Sequence, residues 1–229
     1  RARQVPAIEN IRQHLSPRRR RVEVEIMALV LITEATGPCV TLDEIKTHLR
    51  LSTSDTSEDL LLNSMLMAAQ NEAENKTKRA MMPQTWELVM DAFPEGGIEI
   101  PRPPLSSNST DLSISYIDSS GATATLSATA YSIDGDSEPA WVVPSYDNDW
   151  PETYDVMNAV RVRYKCGYAL SGASTATTPY GIKAWIKLRV GAMYNNRESL
   201  SVESGMQSMI ELPRTFVDGL LDAYTVIKI

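Results

Sequence analysis

The hydrophobic pattern changes period twice, and this narrows the folds open to the chain more than any other feature. Between Thr41 and Arg79 apolar residues recur at helical spacing, from Gln84 to Tyr168 they alternate, and after Thr178 helical spacing returns. A chain of 229 residues in that order has room for one domain with an insertion or for two small domains. The pattern predicts an α+β protein in which a helical bundle carries an inserted antiparallel β module, in the order helix–helix–β–helix–helix. No unit repeats along it.

Local signals place the elements. Thr41 is followed three residues later by Glu44, a reciprocal capping box, and Leu42, Ile45 and Leu49 then share one face. After the polar break Ser52 to Ser57, a longer helix is expected from Glu58 to Arg79, acidic at its start, basic at its end, and stopped by Pro83. Strands are predicted around Trp86–Ala92 and at Ile98–Ile100, the latter closed by Pro101-Arg102-Pro103-Pro104. Leu112, Ile114 and Tyr116 alternate before a hairpin turn at Asp118-Ser119-Ser120-Gly121, and further strands are expected at Ala124–Ile133, Trp141–Val143 and Ala159–Tyr168. Thr178 is expected to cap a helix whose first turn holds Pro179 and whose stripe is Ile182, Trp185, Ile186, Val190 and Met193. A last short amphipathic helix follows Pro213. The expected divisions are a basic extension over 1–26, a helical body over 27–83 and 178–229, the β module over 84–168 and a flexible linker over 169–177.

Charge is divided unevenly. Residues 1–26 carry +4 and the rest of the chain −11. A body that acidic is a poor sequence-independent DNA binder, because such binding neutralises phosphates. It suits a wall past which DNA slides better than a clamp. Met27-Ala28-Leu29-Val30 reads as a natural translation start, which makes residues 1–26 a tag or upstream extension; the alternative is a basic arm that docks on an acidic partner or nucleic acid. The apolar run Ile26–Ile32 is one short strand's worth, too short for a bilayer span. It also makes a poor signal-peptide core, with Glu23, Glu25 and Glu34 around it. Cys39 and Cys166 are too far apart in sequence for a metal-ligand motif and read as two reduced thiols of a cytoplasmic product.

Chemistry is hard to find in this sequence. Of two histidines, His14 lies in the extension and His48 follows Glu44 by one helical turn, as in a surface pair. Cys166 has no nearby histidine to activate it and reads as a small buried thiol. Asp134, Asp136 and Glu138 lack the later bidentate Glu of a calcium loop and read as a solvated turn, and Asp147-Asn148-Asp149 reads as an exposed loop. Catalytic, cofactor-binding and metal-binding residues are all expected to be absent.

The residues do resemble one family. Thr41-Leu42-Asp43-Glu44-Ile45-Lys46-Thr47-His48-Leu49-Arg50 is similar to the opening helix of phage head–tail connector proteins, and the likeness continues through Glu58-Asp59-Leu60, Thr85-Trp86-Glu87-Leu88 and Asp91-Ala92-Phe93-Pro94. Ile98-Glu99-Ile100-Pro101-Arg102-Pro103-Pro104-Leu105 is its most distinctive piece and resembles the longer connectors with a β insertion. Arg161-Val162-Arg163-Tyr164 with Gly167-Tyr168, then Pro179 and Ile182-Lys183 up to Tyr194, Asn196, Arg197 and Glu198, complete it, so that it spans about residues 27–224. The polar loop Asn108–Asp111 and the long Ser199–Glu211 linker depart from the pattern.

The resemblance implies a structural virion protein, not an enzyme: a head-completion adaptor made in the bacterial host's cytoplasm. It would assemble as a dodecameric ring beneath the portal, extend the DNA channel, and offer a surface to a stopper or tail-completion protein. Genomic DNA would pass through the lumen without sequence-specific binding, and no membrane would be involved. Carried over to this chain, the portal contact falls on Phe216, Leu220, Leu221 and Tyr224 for packing and on Val226, Ile227, Lys228 and Ile229 for docking. The other reading of that helix is that it closes the bundle. Rival functions are another virion component, such as a tail terminator or capsid decoration protein, and a cell-wall hydrolase.

Overall fold

The computed structural model describes residues 26–168, 177–196 and 214–226. The expected extension apart from Ile26, the expected linker apart from Thr177, the Ser199–Glu211 segment and Ile227–Ile229 lie outside the described residues.

The capping box forms as expected. The Thr41 hydroxyl accepts from the Glu44 amide at 3.2 Å while the Glu44 carboxylate accepts from the Thr41 amide at 2.9 Å, opening α1 (Leu42–Leu49). Arg50, at φ +59°, ends it in the left-handed conformation. α2 (Asp59–Thr77) ends the same way at Lys78, and α3 (Tyr180–Asn195) and α4 (Arg214–Asp222) complete a bundle in which α3 lies against the other three helices. Ile45, Leu62, Leu66, Ile182, Trp185 and Ile186 fill its interior. Thr178 does not cap α3 as predicted. It is buried and its hydroxyl donates to the Met81 carbonyl at 3.0 Å, so it ties the start of α3 to the segment after α2.

The described residues form eight strands, β1 (Ile26–Thr33), β2 (Gln84–Met90), β3 (Ile98–Ile100), β4 (Leu112–Ile117), β5 (Thr123–Thr125), β6 (Tyr131–Asp134), β7 (Ala140–Pro144) and β8 (Val160–Cys166). They form an antiparallel five-stranded sheet, β1-β2-β8-β4-β5, and an antiparallel three-stranded sheet, β3-β7-β6. The inner faces enclose a second core around Leu88, Ile100, Ile114, Val142, Val162 and Tyr164. Two expectations change here. The run Ile26–Ile32, left outside the predicted element order, crosses over α1 and α2 to pair with β2, so the larger sheet takes a strand from each side of the first two helices. The single strand expected at Ala124–Ile133 breaks at a turn, where the Ala130 amide donates to Ser127 O at 2.9 Å, and its halves join different sheets.

The two cores meet at a joint built on Glu74, near the end of α2. Its carboxylate accepts from the Met81 amide at 2.9 Å and from the Gln84 amide group at 3.0 Å, and Arg102 donates to its carbonyl at 3.1 Å. Burial raises the Glu74 carboxyl above its ordinary value, an effect that these hydrogen bonds and Arg102 only partly offset. Across the joint Ala80 N donates to Pro103 O at 3.1 Å and Gly167 N to Pro104 O at 2.8 Å. Gly167 sits at φ +114°, and a Cβ on it would fall 2.1 Å from the Met82 carbonyl oxygen, so no other residue fits.

Candidate assembly surfaces

The C-terminal residues come first. Leu221 is buried, and Leu220 and Tyr224 are half-buried against the helical core. Gly181 at the start of α3 makes room for the Tyr224 ring, since a Cβ there would lie 2.9 Å from it. Asp218 accepts from Lys76 at 3.0 Å and from the Trp185 indole at 3.2 Å, and these contacts, Lys76 foremost, hold its carboxyl below the usual range. The Val226 amide donates to Thr77 O at 3.0 Å, and Arg79 donates to Tyr224 O, so the last described residues lie over the end of α2. Ile227, Lys228, Ile229 and the side chain of Phe216 lie outside the described residues.

The outer face of the five-stranded sheet was not singled out by the sequence pattern. Residues directly opposite one another share a face, which gives one rung Ala28–Val89–Arg161–Ser115–Thr125 and the next Val30–Glu87–Arg163–Ser113. Arg161 and Arg163, 47% and 54% exposed, close over the buried Glu87 carboxylate at 2.8 Å each. Burial works to raise the Glu87 carboxyl, but the two arginines together hold it below its ordinary value. Beside this rung the edge strand shows three consecutive aliphatics, Val30 at 42%, Leu31 at 38% and Ile32 at 43% exposure. No charged residue interrupts Ile26–Thr33, whereas edge strands ordinarily carry one. That uninterrupted run was the available signal.

A third surface is the loop that leads into β8. Tyr146 and Met157 are 92% and 75% exposed, and Tyr154 and Val156 are also exposed. Asp147, Asp149, Glu152 and Asp155 lie among them with no basic residue between 145 and 158. The loop is held at defined points. The Trp150 ring stacks on Phe93 at 4.9 Å and its indole donates to Gly96 O at 2.7 Å, while Tyr154 N donates to Ile117 O at 3.0 Å.

The groups considered for chemistry do not converge. Asp134 receives the Asp136 and Ser137 amides and the Ser137 hydroxyl, a solvated turn, while Glu138 pairs with Arg79. Among the described residues no group of three His, Cys, Asp or Glu side chains could hold a metal ion, and no described helix is long and apolar enough to cross a membrane. Burial pushes the Cys39 thiol up to about 11 and the Cys166 thiol higher still, which leaves both as inert core residues. Glu44 turns its carboxylate to Thr41 and toward Lys187 at 3.9 Å, and the exposed His48 lies beside Gly191 of α3. A cleft of about 270 Å³ between α2, β1 and β2 is floored by Gln70, Glu74 and Gln84, and Glu74 and Gln84 hydrogen-bond each other there.

Residues 39–131, from the approach to α1 to the start of β6, match the family described as phage gp6-like head-tail connector protein. The match covers 93 of the 229 residues, and over them the chain is similar to phage head–tail connector proteins. The matched stretch holds α1, α2 and the strands from β2 to β5, including the Glu74 joint. The fold of the chain is similar to a chain in the neck of an empty gene transfer agent particle computed with sixfold symmetry, at TM-score 0.68 and 18% identity over 89% of this chain and 97% of the other. A chain in the virion of the native gene transfer agent particle matches at TM-score 0.65 and 18% identity, with the same coverage. One in the native neck computed with twelvefold symmetry matches at 0.61 and 17%, again over 89% and 97%. No curated protein matches the chain.

Proposed function

We propose that the chain is a head-completion adaptor that forms a closed ring, a dodecamer, beneath the portal at the head–tail interface. The observation that carries this is the extent of the fold likeness: the chain spans 97% of a neck component, with both cores included. Twelvefold symmetry in one matched neck is the reason for choosing a dodecamer. In such a ring each copy offers two different surfaces, because head-to-tail contacts close only when the rotation between copies fits. The portal would receive the C-terminal end, where Val226 leaves the bundle over the end of α2 and Ile227, Lys228 and Ile229 follow. Phe216, Leu220, Leu221 and Tyr224 would set its direction. A stopper or tail-completion protein would bind the opposite end, and the acidic body would let genomic DNA pass without gripping it.

The test is an add-back. Purified chain is mixed with packaged heads that lack this protein and with tails, and the vertex is imaged by electron microscopy. A ring beneath the portal with tails rejoined is the expected result. Heads that stay bare and tail-less in the presence of folded chain would overturn the adaptor reading.

A further inference from the structure

Among the described residues, the outer face of the five-stranded sheet and the loop before β8 are two surfaces that the fold leaves without an internal use. They differ in a way that makes them complementary. The first pairs exposed aliphatics, Val30 and Ile32, with the arginine rung Arg161–Arg163. The second pairs exposed apolar side chains, Tyr146 and Met157, with carboxylates at Asp147, Asp149, Glu152 and Asp155.

We infer that these surfaces bind each other between neighbouring copies: the β1 edge with its arginine rung on one chain receives the acidic, aromatic 146–157 loop of the next. For the identity of the partner this rests on the ring reading above. Three observations favour a second copy. The edge strand lacks the charges that ordinarily keep an edge from associating. Its apolar strip is flanked by positive charge in a body of −11, so the surface that fits it must be both apolar and acidic, as the loop is. The two surfaces are distinct patches of one chain, and a ring requires contact between distinct patches. Duplex DNA is the poorer occupant of the rung. After Glu87 the two arginines keep one net positive charge, which suits a single loop carboxylate better than a run of phosphates, and phosphates gain nothing from Val30 or Ile32.

Sedimentation velocity on the full chain and two variants tests it. Val30→Asp with Ile32→Asp spoils only the edge, and Tyr146→Asp with Met157→Asp only the loop; all four positions are exposed, so the fold should tolerate them. The expected result is self-association of the wild type, loss of at least about tenfold in each variant alone, and dimers that stop at two copies when the variants are mixed. That mixture holds one intact edge and one intact loop, so only a head-to-tail contact explains it. A monomeric wild type at high concentration, or loop variants that still associate fully through their edges, would overturn the inference. So would a labelled duplex whose binding disappears in Arg161→Ser while self-association is unchanged. The add-back is a separate readout. Variants that associate normally and still rejoin tails would sink this interface and leave the adaptor standing; wild-type oligomers that never bind heads would do the reverse.

Discussion

The two cores of the described residues are both apolar and differ in the polar groups that they take in. The β core is filled by aliphatic and aromatic side chains whose polar atoms reach backbone carbonyls, as the Tyr164 hydroxyl does to Pro101 O at 3.0 Å. The helical half takes in charge. Lys46 is 2% exposed, pairs with Asp59 at 2.6 Å, and donates to Thr53 O and Asp55 O, so it binds the loop between α1 and α2 to the body. Charge inside the fold costs stability unless each group is paired and hydrogen-bonded, but in return it fixes one arrangement of the segments that it touches. Both halves bury an apolar cluster, the helical half adds the specific contacts of Lys46, and the Glu74 joint makes them one unit.

The largest way to break that unity is Gly167→Ala. The added methyl has no room beside Met82 O at φ +114°, and a loss of about 4 kcal/mol or more is expected in denaturant unfolding. Next come Leu66→Ala in the helical core and Ile114→Ala in the β core, both fully buried. Each should cost about 3 kcal/mol and move one shared transition, followed by both circular dichroism and tryptophan fluorescence. Two separate transitions, of which each variant moves one, would show that the joint does not couple the halves. Lys46→Met should cost about 1–2 kcal/mol, since three contacts are lost while the apolar stem is replaced. Hydrogen exchange should quicken at residues 51–58 and not in the sheets.

The smallest effect sharpens the comparison most. Glu74 and Glu87 are both buried, yet their carboxyls are displaced in opposite directions from the ordinary 4.5. Glu74, raised by burial, favours the fold below its unfolded value and loses that contribution as pH rises through its folded value. Glu87, lowered by the arginines over it, contributes above the unfolded value and loses this as pH falls through its folded value. Glu74→Gln should therefore gain on the wild type as pH rises above about 4.5, whereas Glu87→Gln should fall behind it as pH rises toward about 4.5 and keep that deficit above, by about 1 kcal/mol each. Parallel curves for the two variants would contradict the assigned environments.

Much of the architecture could be read from residues alone. The Thr41–Glu44 cap, the Ile98–Ile100 strand and the Asp118–Gly121 turn are local, set by residues within a few positions, and they appear where the pattern put them. What escaped was decided at a distance. Ile26–Thr33 is a plain apolar run until it meets β2, and nothing near it in the chain specifies that meeting. Lys46 occupies a position that helical charge patterning assigns to solvent, and only Asp59 and the carbonyls beyond it explain its burial. The strand expected at Ala124–Ile133 alternates convincingly, but its halves are claimed by different sheets. Of the candidate surfaces, the C-terminal helix showed in its apolar stripe, whereas the arginine rung emerged only once β2 and β8 stood side by side.

The crossing of β1 over the first two helices has a consequence for the order of folding. α1 and α2 can form from neighbouring residues as soon as these leave the ribosome, whereas β1 must wait for a strand that begins at Gln84 and is itself backed by β8, which ends at Cys166. Loop closure of that length is slow compared with helix formation. During synthesis, the most apolar segment of the described chain is thus the first made and among the last placed. A nascent copy spends that interval with the strand unpaired, and on crowded polysomes chaperone capture of residues 26–33 would set the yield of assembled protein.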